Sequence, residues 1–323
     1  MSAVLVIRPS SLGDIVYALA VVADIRRHRP EAAIDWVAER GFAPLVALCP
    51  DIRAIIPFAL RRWRRAPFAS ATWRDIGAFR RTLRAARYAA IVDLQEQVKG
   101  AMIARTARGR RHGFDRASVR EPLATLAHDA HHPVPRDLHF VERSRRLVAA
   151  ALGYVADGPP RWRFALPPPP ASQPARPYVV LLTATSRADK LWPEPAWRAL
   201  IQHFDRAGLA TLLPWGGAEE EARVRRLAEA APGAVVPPWL SLPDAAALLA
   251  GAELAVGVDT GFTHLAAALG TPTIGLFFAT DPRVHGVACA GPHARDLGQA
   301  QRLPQPNDVV TVAGELLRAA PRC

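Results

Sequence analysis

The sequence predicts two doubly wound α/β domains on one chain, facing each other across a cleft, and three observations lead there. Short, unbroken apolar runs alternate with longer amphipathic stretches through both halves, the pattern of parallel strands covered on both faces by helices. Eight of the twenty residues from Gly158 to Pro177 are proline, among them the run Pro167 to Pro170, and neither a helix interior nor a central strand accepts that composition. The length of 323 residues is about twice that of an ordinary domain. Residues 1–160 therefore read as one domain, 161–177 as a semi-rigid spacer and 178–306 as a second domain.

Taken in order, Val4–Ile7 is a wholly apolar strand and Gly13 to Arg29 the helix that follows it. Ile34–Val37, Ala54–Pro57 and Ala90–Asp93 are further strands, with a helical stretch from Asp75 to Arg87 before the last. The second half opens with the strand Tyr178–Thr183 and the helix Glu194–Arg206, led in by Pro193. A strand at Ala210–Leu213 precedes helices at Glu219–Ala230 and Pro243–Ala250. Strand Leu254–Gly257, helix Thr263–Ala268 and strand Thr273–Phe277 complete the alternation. No repeat of solenoid length is present.

Composition narrows the class. Residues are 50% hydrophobic and 22% charged, which excludes disordered, collagenous and disulfide-scaffold chains. Cys49, Cys289 and Cys323 are odd in number and unrelated in spacing, so neither a disulfide framework nor a zinc site follows and a reducing cytosol is expected. Met1 to Arg8 lacks the basic start and cleavage site of a signal peptide. The run Ile15 to Ala23 stops at Asp24 after nine residues, half a membrane span. The expectation is a soluble chain.

The net charge of +12 is uneven, with 26 cations against 15 carboxylates in residues 1–160 and 15 against 14 in residues 161–323. One domain facing an anionic partner fits this better than a uniformly basic nucleic-acid binder. Arginine accounts for 39 of the 41 cations, a bias that genomic composition explains. The two lysines, Lys99 and Lys190, then draw notice, because lysine and arginine are not interchangeable at a phosphate.

Ligands of doubly wound sheets bind beyond the carboxyl ends of the strands, and four segments stand out. Arg8-Pro9-Ser10-Ser11-Leu12-Gly13-Asp14 presents two hydroxyls, a glycine and a carboxylate at a helix start, and lacks the three glycines of a dinucleotide fingerprint. The same residues also read as a plain helix cap. Thr183 to Pro193 sets Thr185, Ser186 and Lys190 in a loop suited to a phosphate-bearing ligand, or forms a polar lead-in to the next helix. Asp259-Thr260-Gly261-Phe262-Thr263-His264 opens a helix whose free N–H groups suit a diphosphate. Its single Asp-Thr-Gly in a βαβ setting argues against an aspartic protease. Arg61 to Arg87 holds nine arginines and one acid, Asp75, interleaved with Trp63, Phe68 and Trp73. It suits a solvated helix face or an anionic surface. The chain has no Asp-x-Asp pair, P-loop, His-Glu-x-x-His or Gly-x-Ser-x-Gly.

Together, several segments resemble a known family. These are Ser10-Ser11-Leu12-Gly13-Asp14, Trp36-Val37-Ala38-Glu39, Arg61-Arg62-Trp63-Arg64, Arg120-Glu121-Pro122-Leu123-Ala124, Lys190 with Trp192-Pro193, Leu213-Pro214-Trp215-Gly216, and Val258-Asp259-Thr260-Gly261 with His264. They are similar to the ADP-heptose:lipopolysaccharide heptosyltransferases, and within them to the heptosyltransferase I group, in register from residue 1 to about 285. The heptosyltransferase II group shares the Gly-Asp and the Asp-Thr-Gly, whereas Arg61-Arg62-Trp63 and Arg120-Glu121-Pro122-Leu123 resemble the first group alone.

The resemblance implies a GT-B fold of two Rossmann-like domains, acceptor on the first and donor on the second, with a final helix at about 307–323 packing back on the first. It implies inverting transfer of L-glycero-D-manno-heptose from ADP-heptose to the first Kdo of Kdo2-lipid A. No metal and no other cofactor would be needed. The enzyme would sit in the cytoplasm, peripherally on the inner membrane. Carried over by position, Asp14 is the general base and Lys190 the cation at the donor phosphates, beside Thr185 and Ser186. Asp259, Thr260, Gly261 and His264 line the donor site, Glu220 holds the ribose and Leu240 lies near the adenine. Ser10, Ser11, Gly13, Arg61, Arg62, Arg65 and Arg120 fall on the acceptor side. Ser186 departs mildly from the family's usual threonine and keeps the hydroxyl. Three competitors stand beside this reading: heptosyltransferase II, a nucleotide-sugar epimerase of the same fold, and a nucleic-acid-binding module suggested only by the arginine stretch.

Overall fold

The computed structural model describes residues 3–299 and 302–319. It divides into two compact units, Met1–Ala165 and Leu166–Cys323. The first unit is built on β1 (Ala3–Ile7), β2 (Ala33–Glu39), β3 (Ile52–Phe58), β4 (Arg87–Asp93), β5 (Arg108–Phe114) and β6 (Ala130–His132). All pair in parallel in the order β3-β2-β1-β4-β5-β6. The second is built on β7 (Tyr178–Leu182), β8 (Ala210–Leu212), β9 (Ala234–Val235), β10 (Leu254–Val258), β11 (Thr273–Leu276) and β12 (Ala294–Leu297). These too are parallel, in the order β12-β11-β10-β7-β8-β9. Numbered from its own first strand, each sheet runs 3-2-1-4-5-6, the Rossmann order.

The central strands are apolar because both their faces are covered. Every residue of β1, Ala-Val-Leu-Val-Ile, is buried, as is every residue of β7 and β10. Beyond β1, Ser11 caps the helix Leu12–His28, whose last turn carries Arg26, Arg27 and His28 against the helix dipole. In the second unit, Trp192 and Trp197 meet edge to face with centroids 4.9 Å apart. They anchor a core with Val179, Leu181, Leu200 and Phe204. Gly257 in β10 leaves room for the Thr263 side chain, which a β-carbon there would strike.

Several elements depart from the sequence reading. β5, Arg-Gly-Arg-Arg-His-Gly-Phe, has no apolar run, and only His112–Phe114 at its end are buried. The helix Ser70–Ala85 starts five residues before the predicted Asp75. The proline-rich segment is not a free spacer at its start. Trp162 Nε1 donates to the Val16 carbonyl at 2.7 Å and Ala165 N to the Leu48 carbonyl at 2.7 Å, so its first residues belong to the first unit. The terminal helix, expected over 307–323 and against the first domain, is observed as Pro306–Ala319. It places Val309, Ala313 and Leu316 in the second unit's core, because that i, i+4, i+7 stripe matches the apolar surface of β10, β11 and the helix Glu194–Arg206. The last four residues of the predicted span lie outside the described residues.

Candidate active site

In a sheet of this order, a crevice opens where the chain winds away from the first strand in both directions. Those points lie beyond the carboxyl ends of β1 and β4 in the first unit and of β7 and β10 in the second. Ser10, Ser11 and Asp14 follow β1, Thr185, Ser186 and Lys190 follow β7, and Asp259 to His264 follow β10.

In the second unit the centre is Asp259, the residue after β10. Its Oδ2 accepts from Lys190 Nζ at 2.6 Å and from Thr280 Oγ1 at 2.6 Å. His264 Nε2 lies 3.3 Å from its Oδ1, and Thr185 Oγ1 donates to its carbonyl at 3.2 Å. Burial pushes the Asp259 carboxyl up, but His264, Lys190 and Thr280 outweigh it and hold the group well below the usual carboxylate range. The loop after β7 is thereby tied to the start of the helix Gly261–Ala268, which Thr260 precedes. Ser186 projects exposed from the same loop. Glu220 Oε2 accepts from Gly216 N at 2.7 Å, and the half-buried Leu240 precedes Ser241, the cap of the next helix.

Two residues of this cluster were not singled out from the sequence. Thr280 follows β11 by four positions, and only the fold brings it to Asp259. Arg223, on the helix Ala218–Ala228, donates from Nη1 to the Thr183 carbonyl and from Nη2 to the Trp192 carbonyl, both at 2.9 Å. It spans the two ends of the loop that carries Thr185, Ser186 and Lys190.

In the first unit the centre is Asp14. Its Oδ2 accepts from Ser11 N at 2.9 Å and Ser11 Oγ at 2.8 Å, and its Oδ1 pairs with Arg8 Nη2 at 3.0 Å. The capping role is therefore real, yet Asp14 stays partly exposed. Burial raises its pKa, while Arg8 and Ser11 lower it further, so the carboxylate is held ionised. Lys99 Nζ donates to Ser10 Oγ at 2.8 Å. Burial, then Arg8, depresses the Lys99 pKa against the pull of Glu39 and Asp14, with Arg61 adding to the depression. Lys99 thus stands with Ser10, Asp14 and Arg61 in one electrostatic neighbourhood, and its rarity in the sequence was the only signal for it. Arg8 also donates to the Leu94 carbonyl, which fastens the loop after β1 to the loop after β4.

That second loop is unusually constrained. Glu96 adopts φ +61°, a left-handed conformation disfavoured for a residue with a β-carbon. Its carboxylate receives Arg143 through two bonds of 3.0 Å, and its carbonyl accepts from Glu121 N at 3.1 Å. Gly13 sits partly buried in the first turn after Leu12. Of the predicted arginines, Arg61 lies 5.9 Å from the Phe42 ring centroid, and Arg62 pairs with Asp75. Arg65 and Arg120 are exposed. Among the described residues, no hydrogen bond or ion pair joins Arg62, Arg65 or Arg120 to Asp14. Trp63, one of the aromatics interleaved with these arginines, is buried against Phe58 and Phe79.

Beyond this group, His112 Nδ1 and His132 Nε2 lie 3.0 Å apart, and burial with the neighbouring His132 presses His112 down to about 4. Among the described residues no group of three or more His, Cys, Asp and Glu side chains is arranged to hold a metal ion. No helix among them is long and apolar enough to cross a membrane.

The chain is similar to known proteins. Residues 76–308 match the model of glycosyltransferase family 9 (heptosyltransferase). The chain is 41% identical over 301 residues, 90% of its length and 94% of the relative's, to a lipopolysaccharide heptosyltransferase 1 of Salmonella typhimurium. The structure of E. coli heptosyltransferase WaaC with ADP aligns at TM-score 0.89 and 37% identity over 97% of this chain and 99% of that one. The same enzyme with ADP-2-deoxy-2-fluoro heptose aligns at TM-score 0.85 and 36% identity, with the same coverage.

Proposed function

The chain belongs to glycosyltransferase family 9, the heptosyltransferases, and from that premise we propose that it is a lipopolysaccharide heptosyltransferase I. It transfers L-glycero-D-manno-heptose from ADP-heptose to the first Kdo of Kdo2-lipid A, with inversion and without a metal. The observation that carries the reading is the Lys190–Asp259 pair beside the N-terminus of the helix Gly261–Ala268. A cation, hydroxyls and free N–H groups converge there, which is what a departing nucleoside diphosphate requires. The ADP and the ADP-heptose analogue held by the 36–37% identical relative support this assignment of the donor.

Inversion needs one base on the acceptor hydroxyl and charge stabilisation on the leaving group. Asp14 takes the first role: it is ionised and partly exposed in the first turn of the helix that follows β1. Its low basicity suits a base that removes the proton as the hydroxyl attacks, since a fully formed alkoxide is not required. Lys190 takes the second role, with Thr185 and Ser186 beside it, and His264 and Thr280 hold Asp259 so that Lys190 is aimed. In the same reading Glu220 holds the ribose and Leu240 packs near the adenine. Ser10, Ser11, Gly13, Arg61, Arg62, Arg65 and Arg120 form the acceptor side, and the excess of cations in residues 1–160 fits an acceptor rich in carboxylate and phosphate. That acceptor is anchored in a bilayer, so the enzyme works in the cytoplasm, peripherally on the inner membrane, with no nucleic-acid partner.

Release of ADP from ADP-heptose in the presence of heptose-free Kdo2-lipid A tests the reading. Release is expected to depend strictly on that acceptor and to survive EDTA. Activity only on an acceptor that already carries one heptose would assign the enzyme to the second transfer. Release without acceptor would overturn the transferase assignment, and loss to EDTA with rescue by Mg²⁺ would overturn the metal-free mechanism.

A further inference from the structure

The first unit carries apolar side chains where a water-facing surface has no use for them. The helix Val98–Thr106 buries Ala101, Ile103 and Ala104 and turns Met102 outward, 66% exposed. The 3-10 turn Pro122–Ala127 buries Ala124, Thr125 and Ala127 and leaves Leu123 at 69% and Leu126 at 74%. Residues three apart eclipse in such a turn, so the two leucines project from one side. The helix Ser70–Ala85 packs beside Val98–Thr106, and at its start Phe68 is 95% and Trp73 62% exposed. Large exposed apolar groups gathered on neighbouring elements mark an interaction surface.

These elements are rigidly joined. Glu121 accepts from Val98 N at 2.8 Å and from Gln97 Nε2 at 3.1 Å, which caps the helix with the residue that opens the turn. At its other end the turn closes on His128, whose Nε2 meets the buried Asp93 at 3.1 Å. Leu123 and Leu126 are therefore held out by a braced scaffold, not by a loose loop. Around them the charge is one-sided: residues 60–126 carry sixteen Arg and Lys against five Asp and Glu.

We propose that this face, with Leu123, Leu126 and Met102 at its centre and Phe68 and Trp73 at its flank, docks the enzyme on a bilayer of anionic phospholipid. The aliphatic side chains enter the boundary between headgroups and acyl chains while the arginines remain at the phosphates. Charge complementarity selects this occupant: a purely apolar protein partner would leave the arginines unanswered, and nucleic acid would leave the leucines unanswered. Arg120, two residues before the turn, would be held at headgroup level, where the sugar of a lipid-linked acceptor emerges. The inference rests on the reading of that acceptor as lipid-linked, but its test does not use turnover.

Flotation of the full chain with phosphatidylcholine vesicles, with and without phosphatidylglycerol and without acceptor, provides that test. The protein is expected to float with the anionic vesicles alone, and less so as salt is raised. Leu123→Ser with Leu126→Ser is expected to lower the bound fraction by about tenfold or more at an unchanged thermal midpoint. Leu123→Trp with Leu126→Trp, which keeps the apolar area, is expected to retain binding. Wild-type binding by the serine pair, no flotation of the wild type, or its removal from vesicles by competing single-stranded DNA would each overturn the proposal. An inactive protein that floats as described would sink the functional reading and leave the docking face standing.

Discussion

Replacing Lys190 by alanine separates what holds the loop after β7 from what acts on the nucleotide. The ammonium lies 2.6 Å from Asp259 Oδ2, and both side chains are largely buried. Opposite charges at such a distance attract by about 6 kcal/mol at the effective dielectric of a protein surface, most of it offset by the water both lose. His264 and Thr280 still engage Asp259 in the variant, so the carboxylate is not left alone. The net loss of stability is expected at about 1–3 kcal/mol, a fall of roughly 3–10 °C in thermal midpoint for a unit of this size. The kinetic loss has another origin. On the proposed mechanism charge grows on the departing ADP, so Lys190 would be worth more there than in the ground state. By analogy with a lost oxyanion donor the barrier rises by roughly 2–4 kcal/mol, about 30- to 1,000-fold in kcat, with a smaller change in ADP-heptose affinity. Lys190→Arg should recover only part of the rate, because a planar fork needs more room than a compact ammonium. Thermal scanning and single-turnover kinetics read the two effects apart. Full activity in the alanine variant removes Lys190 from the mechanism, and full activity in the arginine variant reduces its part to charge alone.

Three further perturbations address other parts of the site. Asp14→Asn is expected to lower turnover by about 10²–10⁴-fold while ADP-heptose affinity holds; near-normal turnover in steady-state assays would leave Asp14 as a helix cap only. Arg223→Ala removes the bonds to the Thr183 and Trp192 carbonyls and should raise KM for ADP-heptose more than it lowers kcat. A lower thermal midpoint with KM unchanged would make its role purely structural. His112, held down to about 4 from an ordinary 6.5, makes the unfolded chain take up a proton first as pH falls. Its contribution of about 3 kcal/mol is complete above pH 6.5 and is lost on descent toward pH 4. Thermal midpoints of His112→Gln against pH should be flatter across that window, and a slope equal to the wild type would refute the assignment.

Both sheets were legible where burial is two-sided. The runs Val4–Ile7, Tyr178–Thr183 and Leu254–Gly257 contain almost nothing but apolar residues, because helices cover both faces. β5 escaped because it carries three arginines in its first four residues, and its burial begins only at His112. The loops with Ser10 to Asp14 and Asp259 to His264 could be read because each directly follows such a strand. Thr280 and Arg223 could not, since each reaches the site from an element distant in sequence through a single hydroxyl or guanidinium. The terminal helix was misplaced for a different reason. An amphipathic stripe states that a helix is covered, and the three-dimensional surface decides by what.

The restriction of lysine to two positions gives the molecule a built-in chemical handle. Apart from the α-amino group, Lys99 and Lys190 are the whole complement of primary amines in the sequence. Lys99 is bonded to Ser10, beyond β1, and Lys190, in the loop beyond β7, to Asp259. An acylating or reductively methylating reagent therefore finds two side-chain targets, one in each half. If the proposed sites are right, bound nucleotide is expected to slow labelling at Lys190 and bound acceptor to slow it at Lys99. Isotopic methyl groups placed on these nitrogens would supply two resolved spectroscopic signals, so the occupancy of the two halves could be followed independently without a single engineered residue.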